Sequence, residues 1–217
     1  PRHLSSAASD VYKRQTSESP RSKISKFTQD FLTPLQHCKT ELFPTTLYVF
    51  SHNNDSIVKE IESIPDDPEV LSHLSPGAKP SIIEGSHNGM YGLQLLKRYE
   101  LPTFSQFVHD CLEKVYPESQ IFQSWINRLP KGSKQAVHTH ANSVVSGVYY
   151  HETTSDMGGI VFMNPNPFSK MAMWGTEEGR FFPATPNTLV LFPSWLEHKT
   201  SENRSNMPRV SIAFNAK

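Results

Sequence analysis

The chain has 217 residues, and its 21 lysines and arginines balance 21 aspartates and glutamates, for a formal net charge of zero. That balance excludes the basic surplus of a protein built to hold polymeric nucleic acid or an anionic membrane surface, while the length suits one domain with a sizeable core. Cys38 and Cys111 are the only cysteines and share no motif, which argues against a disulfide scaffold and a thiolate zinc site. No apolar run approaches the roughly 18 residues a bilayer span needs, and no charged-then-apolar signal opens the chain, so a cytoplasmic setting is expected.

Asp10-Val-Tyr-Lys-Arg-Gln15 is what a transposon end used in sequencing libraries encodes in one reading frame. Residues 1–15 are therefore read as a translated adapter and kept out of the fold argument. Residues 16–41 form a polar lead-in, in which Phe27, Phe31 and Leu35 could share one short helical face that Pro34 cuts. A single domain is expected over 42–217, with helical support across 55–117 and a β core across 121–217.

Leu42–Phe50 is β-branched and aromatic and predicts a strand with Pro44 near its start. Asn53-Asn54-Asp55 is a turn or cap, after which Ile57, Val58, Ile61 and Ile64 follow helical spacing. Residues 65–90 are rich in Pro, Ser and Gly and read as a surface loop. Thr103-Phe-Ser-Gln106 fits a capping box with Pro102 just before it, and Phe104, Phe107, Val108, Cys111, Leu112 and Val115 make a full apolar stripe behind it. Pro117 ends that helix, and His109 lies off the stripe as a solvated residue.

From Ile121 the pattern turns to strands. They are expected at 121–129, 136–140, 144–152, 159–163, 181–182, 188–192 and 210–214, separated by turns such as Pro130-Lys-Gly132, Asn142-Ser143 and Asn164-Pro-Asn-Pro167. Short strands at this spacing imply a sandwich or barrel, most simply a jelly roll with helices packed outside.

Within that region four residues stand out. On a strand, His138 and His140 point to one face and can aim two imidazoles at one point. His198 follows the apolar run Leu191–Leu196, and Arg209 and Ser211 again share a strand face. Imidazole is the commonest ligand for iron, copper, nickel and zinc, and a guanidinium fork matches a carboxylate. Each residue also has a plainer reading, as a surface or hydrogen-bonded side chain; the combination is what points to a metal beside an anionic ligand.

Read in order, Leu42-Phe-Pro-Thr45, Trp125-x-Asn127, His138-x-His140, Ser146-Gly-Val-Tyr-Tyr150, Phe192-Pro-Ser194 leading to His198, and Arg209-x-Ser211-x-x-Phe-Asn215 resemble the 2-oxoglutarate/Fe(II)-dependent dioxygenase superfamily. The closest likeness is to its short bacterial and phage members. The resemblance implies a double-stranded β-helix (jelly roll, cupin-like), mainly β with flanking α-helices. It implies Fe(II) with 2-oxoglutarate and O2 as co-substrates, hydroxylation of an unidentified substrate with release of succinate and CO2, and a bacterial or phage-infected cytoplasm.

By the same likeness His138 and His198 match the two iron-binding histidines. Arg209 matches the arginine for the far carboxylate of 2-oxoglutarate, Ser211 its hydroxyl partner and Tyr150 an aromatic that can hydrogen-bond the co-substrate; Asn127 is a further polar contact. His140 stands where the wider superfamily keeps an aspartate. It is read as the third ligand, with water or Glu152 as the alternatives.

Two other readings remain beside this one: a cupin-like three-histidine metalloenzyme that does not use 2-oxoglutarate, and a non-catalytic jelly-roll binding module with Trp125, Trp174 and Trp195 as contact aromatics. As a plainer alternative these tryptophans are core or pocket wall. Loop 164–180, carrying Lys170, Met171, Met173, Trp174 and Arg180 with Gly175 and Gly179, is expected to border the pocket as a lid. The substrate class, a small molecule or a protein side chain, is not legible.

Overall fold

The computed structural model describes residues 44–65, 94–166 and 178–217. The adapter-like start, the lead-in with Phe27, Phe31 and Leu35, residues Leu42 and Phe43, the loop after residue 65 and the centre of the expected lid lie outside the described residues.

Alternation of side chains decides how the strands stack. The strands are β1 (Tyr48–Ser51), β2 (Ile121–Leu129), β3 (Val145–Tyr150), β4 (Gly159–Met163), β5 (Gly179–Pro183), β6 (Thr188–Pro193), β7 (His198–Thr200) and β8 (Arg209–Ala216). One antiparallel sheet has the order β1-β6-β3-β8-β2 and the other the order β5-β4-β7. A bridge between His138 and His198 adds the 136–140 segment beside β7. Counting the 136–140 segment with the smaller sheet, the chain from β2 onward passes from the larger sheet to the smaller and back, with only β4 and β5 consecutive in one sheet. That is the winding of a double-stranded β-helix, the jelly roll expected from the sequence.

Helices α1 (Asp55–Glu62), α2 (Leu95–Arg98) and α3 (Pro102–Val115) complete the described elements, with one 3-10 turn at Ser155–Met157. Ile57 and Ile61 of α1 and Phe104, Val108 and Leu112 of α3 are buried against Ile126, Tyr149, Leu189, Leu191 and Ile212 of the larger sheet. The intervening residues Tyr150, Val190 and Phe192 join Ile160 and Phe162 of the smaller sheet in a second cluster. Burial at about 25 cal/mol per Å2 of apolar surface makes both faces contribute to stability. No helix among the described residues is long and apolar enough to cross a membrane.

Several local expectations need correction. Thr103 does not cap α3: Leu101 is its N-cap residue without a side-chain bond, and Pro102 takes the first turn, where a missing N–H costs nothing. The free amides of Thr103 and Phe104 instead donate to the two carboxylate oxygens of Glu60, at 2.9 and 2.8 Å. The cap is supplied by α1, so one carboxylate both satisfies α3 and ties the helices together. The Asn54 cap of α1 does form, accepting from the Ser56 amide at 3.0 Å.

The 136–140 segment is not a regular strand. Beyond the paired main chains of His138 and His198, the Gln135 amide donates to the Thr200 hydroxyl, and the His140 amide turns to the Ser194 carbonyl. Its partner β7 is only three residues long, too short to carry a ladder. The Leu42–Phe50 strand is likewise confined, within the described residues, to Tyr48–Ser51. Trp195 is 58% exposed in the turn before β7, so it is neither core nor cavity wall.

Candidate active site

The cavity between the sheets is furnished by one cross-strand row. Ser211 on β8 lies opposite Asn127 on β2 and opposite Tyr150 on β3. Residues directly opposite on one face are neighbours, so the three polar side chains converge. The Asn127 amide donates to the Ser211 hydroxyl at 3.4 Å. Two residues earlier on the same face of β8 comes Arg209. All seven residues singled out in the sequence, Asn127, His138, His140, Tyr150, His198, Arg209 and Ser211, line this one cavity. Trp125, Gln135 and Thr200 line it as well.

The three imidazoles gather because two of them sit on bonded main chain. His138 and His198 exchange backbone hydrogen bonds of 2.9 and 3.0 Å. Each ring is then aimed by the main chain two residues before it: Nδ1 of His138 meets the Ala136 carbonyl and Nδ1 of His198 the Leu196 carbonyl, both at 2.8 Å. A carbonyl only accepts, so each Nδ1 carries the proton and each Nε2 offers its lone pair. His140 brings its Nε2 to 3.2 Å from Nε2 of His198. One nitrogen from each ring lies within 4.8 Å of the other two.

Burial keeps these rings neutral. It lowers the His138 pKa, against the pull of the Ala136 carbonyl, and lowers His198 to about 4, with His138 adding to the effect. His140 falls well below the ordinary value, from burial first and then from His198 and His138. Neutral imidazoles are what a metal requires. Adjacent ligands on an octahedral ion at about 2.1 Å are separated by about 3.0 Å, close to the spacing of the His140 and His198 nitrogens.

Across the cavity Arg209 is 1% exposed. Its Nη1 donates to the carbonyls of Met157 at 2.7 Å and Ser201 at 3.3 Å, which fixes the guanidinium. Its Nη2 is buried without a hydrogen-bond partner among the described residues. Burial lowers the arginine pKa, while Tyr150 works the other way. Burial pushes the Tyr150 phenol up to about 12, against Arg209, so it stays protonated and able to donate. Gly158, at φ 76°, makes room for this anchor: a Cβ there would come within 2.3 Å of the Ser201 hydroxyl and 3.4 Å of Nη1 of Arg209.

Behind the histidines lies a buried polar chain for which the sequence suggested no role. The Ser146 hydroxyl meets Ser194 Oγ and donates to Asn215 Oδ1, both at 2.8 Å, and the Asn215 amide donates to Gln123 Oε1 at 2.9 Å. Since the Ser194 carbonyl accepts the His140 amide, this chain braces the turn that holds the third imidazole. Serine and asparagine inside otherwise apolar strands were the visible signal, because buried polar groups need partners. Glu152, an alternative third ligand, lies instead with Glu62 and His151, apart from the three-histidine group.

Residues 123–215 match the family described as "Putative 2OG-Fe(II) oxygenase". The matched segment carries all seven of the residues singled out in the sequence. No curated protein matches the chain. Among solved structures, the chain is similar to a 2OG-Fe(II) oxygenase family oxidoreductase from Burkholderia pseudomallei, at 18% identity and TM-score 0.40, covering 52% of this chain and 57% of that one. A prolyl-4-hydroxylase from Pseudomonas putida is similar at 14% identity and TM-score 0.38, covering 52% and 63%. HygX from Streptomyces hygroscopicus, solved with iron bound, is similar at 10% identity and TM-score 0.40, covering 53% and 67%. The chain thus spans less than two thirds of the first two structures.

The residues fit the two groups that the family name carries. Three imidazoles with one nitrogen of each turned toward the others are a set that could hold a transition metal. A buried guanidinium with one arm unpartnered among the described residues could hold a carboxylate.

Proposed function

We propose that the protein is an Fe(II)- and 2-oxoglutarate-dependent dioxygenase that hydroxylates its substrate. The observation that carries this reading is the unpartnered Nη2 of buried Arg209, in the same cavity as the three histidines. An arginine nitrogen left dry and unbonded is costly unless an anionic ligand completes it. A three-histidine metalloenzyme without 2-oxoglutarate leaves that nitrogen unexplained.

In this assignment His138, His140 and His198 hold Fe(II) through their Nε2 atoms. Arg209 binds the far carboxylate of 2-oxoglutarate, and the hydroxyls of Ser211 and Tyr150 hydrogen-bond the same molecule. Asn127 orients Ser211. Three neutral imidazoles leave both charges of the ferrous ion uncompensated, and the carboxylate of a bound co-substrate at the metal would offset part of that charge. Phe192 and Ile160 line the cavity and exclude water from it. When bound, iron with 2-oxoglutarate and O2 supplies oxidation of a substrate C–H, giving the alcohol, succinate and CO2.

Anaerobic Fe(II) titration tests the reading. A metal-to-ligand visible band is expected only when 2-oxoglutarate is added, and succinate formation in air is expected to be lost in Arg209→Ala and His198→Ala. No band, or undiminished turnover in both variants, refutes the assignment.

A further inference from the structure

On the helix-covered side of the larger sheet a second histidine stands among carboxylates. His151 directly follows β3, so its side chain leaves the strand on the face opposite Tyr150. It is 6% exposed, and its Nδ1 is buried with no hydrogen-bond partner. Glu62 is the last residue of α1, and Glu152 follows His151. One ligand atom from each of Glu62, His151 and Glu152 lies within 4.8 Å of the other two.

Each part of this arrangement is unfavourable without a cation. The two carboxylates repel one another, and Glu62 sits at the negative end of the α1 dipole, where an acid is disfavoured. Burial lowers the His151 pKa, with Arg128 adding to this while Glu152 and Glu62 oppose it. The imidazole therefore offers a lone pair, and its buried Nδ1 has no hydrogen-bond partner among the described residues. Arg128 is the nearby opposing charge, and its guanidinium is tied to the Ile64 carbonyl at 2.9 Å. One arginine against two glutamates still leaves the cluster net negative.

We propose that Glu62, His151 and Glu152 form a second metal site, for a divalent ion of the zinc class, that fastens the end of α1 to the end of β3. One imidazole and two carboxylates are a donor set zinc accepts, with water completing its shell. The site lies on the opposite face of the sheet from the cavity and does not depend on what the cavity does.

Zinc content of the full chain, dialysed against excess Zn2+ and counted by elemental analysis, tests this. Two ions per chain are expected in the wild type, one in Glu62→Gln, one in Glu152→Gln, one in His198→Ala and none in the His198→Ala/Glu62→Gln double variant. Both glutamates are exposed, so their variants fold. Affinity for the second ion should fall at least about tenfold in each glutamine variant, the minimum seen even for residues that only support a ligand. Zn2+ should also raise the Tm of His198→Ala and leave that of the double variant unmoved. Two ions retained in both glutamine variants overturns the proposal, as does a single wild-type ion that disappears in His198→Ala. A single wild-type ion that survives His198→Ala and is lost in Glu62→Gln upholds it, and removes the three-histidine assignment instead.

Discussion

The two faces of the larger sheet are made from alternate residues of the same strands, yet they are put to different use. Toward the helices Ile126, Tyr149, Leu191 and Ile212 are packed against apolar side chains. Toward the cavity their neighbours Asn127, Tyr150, Arg209 and Ser211 present polar groups to one space. Most of the helix face packs apolar side chain on apolar side chain, whereas the cavity face holds a buried guanidinium nitrogen with no hydrogen-bond partner among the described residues. Stability and chemistry are thereby separated by one step of the pleat, and substitutions one residue apart should report on different properties.

The largest effect is expected on the helix face. Phe104 is fully buried and meets Tyr149 edge to face at 5.0 Å. Phe104→Ala should cost about 3–5 kcal/mol in denaturant unfolding while leaving the iron and 2-oxoglutarate band of the folded fraction unchanged. Loss of the band from protein shown to be folded would break the separation. On the cavity face Ser211→Ala should do the converse. It should weaken 2-oxoglutarate binding at least about tenfold, the worth of one hydrogen bond to a charged group, with a stability change below about 1 kcal/mol. An unfolding midpoint displaced as far as that of Phe104→Ala would refute it.

The smallest effect belongs to the helix cap. Glu60→Gln should cost about 0.5–1 kcal/mol at neutral pH. Burial raises the Glu60 pKa, but its bonds to Thr103 and Phe104 outweigh that and bring the folded value below the ordinary 4.5. A carboxylate with a lowered folded pKa stabilises fully above its unfolded value and loses that contribution as pH falls through the folded one. The gap between wild type and Glu60→Gln should therefore be present at pH 7 and close below about pH 4. A gap that widens on acidification would contradict the cap.

Strands buried on both faces were the most legible part of the sequence. Ile121–Leu129 and Gly159–Met163 form over the residues expected, because bounding turns and β-branched runs leave little freedom. The site was legible for a different reason: strand alternation places Arg209 with Ser211 on one face from spacing alone. What escaped depends on distant partners. Thr103 looks like a cap until Glu60 arrives from another helix, and His151 looks ordinary until Glu62 is brought beside it. Helix α2 and strand β7 are too short for periodicity to register. The segment at 136–140 has the alternation of a strand, but its partner is too short to complete one.

The mutual main-chain bonds of His138 and His198 have a consequence for the order of events. Zinc fingers gather their ligands only when the ion arrives, so metal binding and folding are one transition. Here the ring spacing is inherited from β pairing and the ring orientation from the Ala136 and Leu196 carbonyls. The three rings are assembled as the chain folds, so an ion held as proposed could leave and return without the protein coming apart.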